Sequence, residues 1–174
     1  MIRSLLRNGF SIDTLIGLCA SAFVVFCTLP IHEYAHAFVA TKLGDDTPRL
    51  SGRLTLNPIA HIDIMGAVMI LLVGFGYAKA VPVKPRNFKN PKAGMALTAA
   101  AGPASNLIMS VIFILLSNIS FVIYCKTNDS IVARVALLFF FYAAMINISL
   151  AVFNLIPIPP LDGSRIVGLL IPNK

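Results

Sequence analysis

The sequence predicts an α-helical membrane protein, a bundle of transmembrane helices with a short membrane-associated β segment and a re-entrant stretch. Three observations predict it. Of the 174 residues, 57% are hydrophobic and 12% charged, and the mean hydropathy is +0.85; a soluble domain carries about 25% charged residues. Three long runs carry little or no charge, and crossing the hydrocarbon takes about 20 residues. Between the first two of these lies a tract of different patterning, followed by an apolar run too short to span. The length suits one compact domain over residues 1–174.

Taken in order, residues 1–10 mix Leu5, Leu6 and Phe10 with Arg3 and Arg7, the pattern of an interfacial segment. Ser11 or Asp13 can cap a first helix over about 12–43, with Gly44 as its stop. Within it the 18 residues from Thr14 to Ile31 carry no formal charge. Pro30 removes a backbone donor and frees the Phe26 carbonyl, which predicts a kink. Over residues 48–57, Arg49, Ser51, Arg53, Thr55 and Asn57 alternate with Leu50, Gly52, Leu54 and Leu56. That period of two predicts a strand, stopped by Asn57-Pro58. Its open edge could hold an extended peptide by strand addition.

Residues 64–78 are uncharged but number only 15, which predicts a segment that dips into the membrane and returns. The connector from Lys79 to Lys92 holds five cations, no acid and Pro82, Pro85 and Pro91; its charge argues for the cytoplasmic side. Ala93 to Cys125 is an uncharged run of 33 residues, predicting a helix over about 93–120. The last run, Val135 to Leu161, predicts a helix over about 135–157, stopped by Pro157, Pro159 and Pro160. Cys19, Cys27 and Cys125 make neither a disulfide framework nor a metal-binding pair. The +7 net charge does not indicate nucleic acid, because the basic residues form no aromatic-interleaved patch. They fall between apolar runs, where lipid head groups meet them. The lipid bilayer is therefore the first expected partner.

The chemistry concentrates in His32-Glu33-Tyr34-Ala35-His36. Two histidines four apart share one helix face and can reach one Zn²⁺, and Glu33 can take a proton from the water the metal activates. Ionisable groups in hydrocarbon are costly unless paired or used. Asp162, after the prolines of the last run, is the candidate third ligand, its alternative being a cap for the tail. The site then lies between the first and last long helices. Three ligands of one ion must share a membrane depth, so 64–78 makes no net crossing. Asn106 in the second long helix serves either as interhelical glue or as a donor in the site. For His61, capping of the next segment competes with a role at the metal.

Together, His32-Glu33-x-x-His36, Gly52 to Pro58 with His61 and Asp63, Gly102-Pro103 with Asn106, and Asn154 to Gly163 resemble the site-2 protease family. These are intramembrane zinc metalloproteases, and the closest likeness is to the compact bacterial branch without PDZ or CBS domains. The resemblance implies that His32, His36 and Asp162 hold Zn²⁺ and that Glu33 is the general base. It implies that Asn106 lies near the scissile bond, orienting the substrate or its oxyanion, with His61 in support. It implies membrane-spanning protein substrates, a location in the bacterial cytoplasmic membrane, and more helix after Asp162-Gly163 than the run to Lys174 supplies. Two other functions compete. A transporter or metal carrier also uses intramembrane His and Asp, but has no need of Glu33 between the histidines. An inactive, protease-like regulatory protein is the other. Oligomeric state is not readable from the chain.

Overall fold

The computed structural model describes residues 11–73, 79–127 and 130–169. The expected interfacial segment 1–10 and residues 74–78 of the short apolar run lie outside them. Helix α1 (Ile12–Phe23) starts at Ser11, whose side chain accepts the Thr14 N–H at 3.2 Å. A π-helical turn over Val24–Thr28 joins it to α2 (Leu29–Lys42), with the Leu29 N–H reaching back to the Val24 carbonyl. This wide turn falls just before Pro30, which has no N–H to continue the regular ladder. The short helices α3 (Thr47–Leu50), α4 (Pro58–His61) and α5 (Ile64–Val73) follow. The long α6 (Pro91–Lys126) and α7 (Ile131–Leu155) and the brief α8 (Asp162–Val167) complete the chain.

Among the described residues, three stretches are long and apolar enough to cross a membrane: Ile12–Lys42, Pro91–Lys126 and Ile131–Leu155. The protein is a multi-pass integral membrane protein. Val24, Phe113, Ala143, Ala144 and Leu150 form the buried centre where the three meet. Phe23 sits edge-on to Phe113 and Phe139, with ring centroids 5.8 and 5.4 Å away. The alanines matter because lipid is as apolar as leucine, so helices associate through close packing. Leucine, isoleucine and valine side chains such as Leu97, Ile108 and Val132 are left on the outer faces.

The expected β segment is not there. Among the described residues no β-strand exists, and the bundle is all-helical. Residues 47–50 form a helical turn instead, with Pro48 in its first turn. Gly52 then reverses the chain at φ +67°. The Ser51, Gly52 and Arg53 N–H groups bond to the carbonyls of Thr47, Arg49 and Pro48. The alternation of side chains is real, but a strand needs a second strand to satisfy its backbone. Here local turns do so, helped by Pro at a position that favours helix starts. With no strand, the strand-addition edge disappears too.

The tract between the first two spans closes on itself at one end of the bundle. The Lys79 N–H donates to the His61 carbonyl at 2.9 Å. The Arg53 guanidinium donates to the Ala60 and Lys79 carbonyls. Asp45, fully buried just beyond α2, accepts from the Lys84 N–H and the Asn87 amide, both at 2.7 Å, and from the Thr47 N–H and hydroxyl. These bonds seat the 79–88 connector against the end of α2.

Candidate metal centre

The π turn and Pro30 lead directly into the His-Glu-x-x-His stretch, which is regular α-helix in α2. His32, Glu33 and His36 are all buried there. The His32 and His36 Nε2 atoms are 3.1 Å apart. Asp162 arrives from the far end of the sequence, carried by the turn over 156–161 to the first position of α8. Its Oδ2 lies 3.6 Å from His32 Nε2 and 3.2 Å from His36 Nε2. Gly163 makes this seat possible. A Cβ there would fall 2.2 Å from the Leu155 carbonyl oxygen, so only glycine lets α8 lie so close to the end of α7.

The donor chemistry tests whether a metal fits. His36 Nδ1 lies 2.7 Å from the Thr98 carbonyl oxygen, which can only accept, so Nδ1 carries the hydrogen. His36 Nε2, His32 Nε2 and the Asp162 carboxylate then face one another, and groups converging this closely need positive charge between them: protons on Nε2 supply it without metal, and a metal ion bound by the Nε2 lone pairs would replace them. Their ligating atoms lie within 4.8 Å of one another. Ligands about 2.0–2.1 Å from a tetrahedral Zn²⁺ stand roughly 3.3 Å apart, the spacing seen here. The residues fit the ion. Burial alone pushes the Asp162 carboxyl above its ordinary pKa, but pairing with the two imidazoles outweighs it and holds the group well below the usual carboxylate range. It therefore stays ionised, as a ligand must.

A cavity of about 220 Å³ opens beside the cluster. Glu33 lines it together with His32, His36 and Asp162. Its other walls come from the connector (Ala80, Val81, Val83), the end of α7 (Phe153, Asn154) and Arg165 of α8. The cavity thus brings the Glu33 side chain and the His32, His36 and Asp162 cluster onto one surface, with apolar walls around both.

The other expected site residues are placed differently. His61 is fully buried with its Nε2 2.7 Å from the Thr55 carbonyl oxygen, and it does not line the cavity. Asn106 is only 1% exposed, faces the bundle interior, and does not line the cavity either. Three contributors escaped the sequence reading: the Thr98 carbonyl, Arg165, and Asp45. The first carries no side-chain signal at all. The second lies one helical turn past Asp162, a spacing that could have flagged it.

The comparisons with known proteins agree with this geometry. Residues 116–173 match peptidase family M50. The chain is 46% identical over 145 residues to "Putative zinc metalloprotease YwhC" of Bacillus subtilis (strain 168), covering 82% of this chain and 64% of that one. It is 29% identical over 141 residues to the protein named Rip2 of Mycolicibacterium smegmatis, covering 78% of this chain and 51% of that one. To Rip3 of Mycobacterium tuberculosis it is 30% identical over 146 residues, covering 84% and 29%. The chain therefore spans less than two thirds of the length of these relatives. No solved structure matches it.

Proposed function

Since the chain belongs to peptidase family M50, the zinc metalloproteases of the site-2 protease type, we propose that it is an intramembrane zinc endopeptidase. It hydrolyses peptide bonds in or near the transmembrane segments of other membrane proteins, as one catalytic domain in a bacterial cytoplasmic membrane. The observation that carries this reading is the meeting of His32, His36 and Asp162 beside Glu33, at one end of a three-span bundle.

His32, His36 and Asp162 would hold the ion. Zn²⁺ there would acidify water to a pKa of about 7 and polarise a peptide carbonyl. Glu33, on the next position of the same helix, would accept a proton from the attacking water and return it to the leaving amine. The apolar walls from Val81, Val83 and Phe153 would lower the local polarity, which strengthens these electrostatic effects. A substrate helix must unwind to enter, because the residues flanking a helical peptide bond shield it. Substrates with Gly, Pro or polar residues near the cut are therefore favoured. His61 supports the site from a distance, by fixing the 55–61 turn that anchors the connector wall.

The test uses the purified full chain with a single-span model substrate in proteoliposomes. Wild type cleaves it. Glu33→Gln keeps its zinc and loses about 10²–10⁴-fold in rate, the usual contribution of a positioned base. An unchanged rate in Glu33→Gln overturns the mechanism. Zinc flux without cleavage by wild type would identify a carrier instead.

A further inference from the structure

The two metal-binding imidazoles are supported unequally. His36 Nδ1 has the Thr98 carbonyl of α6 as its outer partner. His32 Nδ1 is buried and has no partner among the described residues. Yet if Nε2 of His32 faces the ion, Nδ1 carries a hydrogen that must be donated. Ligating histidines almost always donate that hydrogen to a carboxylate, carbonyl or water, which fixes the ring.

The Thr98 hydroxyl, the Asn147 amide oxygen and the Asn106 amide are buried and equally unclaimed among the described residues; of these, Asn106 lies on α6 one turn beyond the glycine that packs against both rings. Both amide atoms of Asn106 are buried without a partner among the described residues. Its position on α6 follows from the spacing. Thr98 meets His36; one turn on, Gly102 packs against both rings, where a Cβ would lie 2.3 Å from His36 Nε2 and 2.6 Å from His32 Cε1. Moving along α6 therefore leads from His36 toward His32. Asn106 is the next residue on that face. Side chains on a helix lean toward its N-terminus, so the Asn106 amide leans back over Gly102, which has no side chain to block it.

We propose that Asn106 is a positioning residue for His32, its amide oxygen receiving the His32 Nδ1–H directly or through one water. Asn106 then acts through the metal ligand and not on the substrate, in keeping with its absence from the cavity walls. The inference rests on the proposed reading that His32 holds Zn²⁺.

The experiment measures Zn²⁺ affinity by chelator competition, and the visible absorption of the Co²⁺-substituted protein, on the full chain in detergent. Asn106→Leu keeps the size but removes the acceptor; Asn106→Asp keeps the acceptor. Asn106→Leu is expected to weaken Zn²⁺ binding about 10- to 100-fold and to change the cobalt spectrum. Asn106→Asp is expected to restore both toward wild type. Wild-type zinc affinity and cobalt spectrum in Asn106→Leu overturn the proposal, and a lowered kcat alongside them assigns Asn106 to the substrate. Equal weakening in both variants overturns the acceptor role. If Asn106→Leu does not fold, Asn106→Ala takes its place. His36→Ala is the control that separates the two claims. Should it bind zinc as wild type does, the metal centre itself is misassigned; should it lose zinc, a failure of the Asn106 series counts against Asn106 alone.

Discussion

Replacing Gly102 with alanine adds one methyl group at the tightest point of the metal centre. The new Cβ would lie 2.3 Å from His36 Nε2, 2.5 Å from His36 Cε1 and 2.6 Å from His32 Cε1. Ordinary contact begins near 3.4 Å, so one ring or the helix must retreat by roughly 1 Å, while zinc distances tolerate only about ±0.2 Å. The backbone effect runs the other way, because alanine in a helix interior is better than glycine by about 1 kcal/mol. The two effects act on different observables. Without metal, Gly102→Ala should unfold in detergent no more easily than wild type. Its Zn²⁺ affinity should fall by at least about 100-fold, equivalent to about 2.7 kcal/mol. The rise in melting temperature that zinc gives wild type should shrink accordingly. Chelator competition and thermal unfolding with and without zinc measure both quantities. Wild-type zinc affinity in a folded Gly102→Ala protein would refute the packing of α6 on the two imidazoles.

Gly163→Ala meets backbone rather than a ring, 2.2 Å from the Leu155 carbonyl oxygen. It should lift α8, withdraw Asp162, weaken zinc binding and cost about 1–3 kcal/mol even without metal; normal apo stability counts against the seating described. Asp45 predicts a pH dependence. Burial pushes its carboxyl up, but the hydrogen bonds from Thr47, Lys84 and Asn87 outweigh that and hold it below the ordinary range. Its stabilisation is therefore complete above the unfolded value of about pH 4 and is lost as the pH falls through the folded value. Asp45→Asn should cost about 1–3 kcal/mol at neutral pH, and its difference from wild type should narrow in acid. Unfolding in chelator-containing detergent across pH checks it, and a constant difference refutes it. With the Glu33 and Asn106 variants, these experiments address proton transfer, ligand orientation, ligand convergence and the connector wall separately.

The helical, membrane-embedded character was determined by the sequence itself, because it follows from composition and run length along one stretch of chain. So was the sharing of one face by His32 and His36, which needs only the helical repeat. The 48–57 tract shows where local reading stops. Its alternation satisfies the side-chain condition for a strand, but pairing requires a second strand, and Pro48 with the turn at Gly52 settles the backbone otherwise. Only the tertiary structure decided what surrounds the cluster. The Thr98 carbonyl looks like every other carbonyl in the sequence, and Asp45 reads as a loop acid until the Lys84 N–H and the Asn87 amide are seen against it. Partners are set by which helices cross and how closely, and that depends on glycines such as Gly102 and Gly163, whose importance lies in side-chain atoms they do not have.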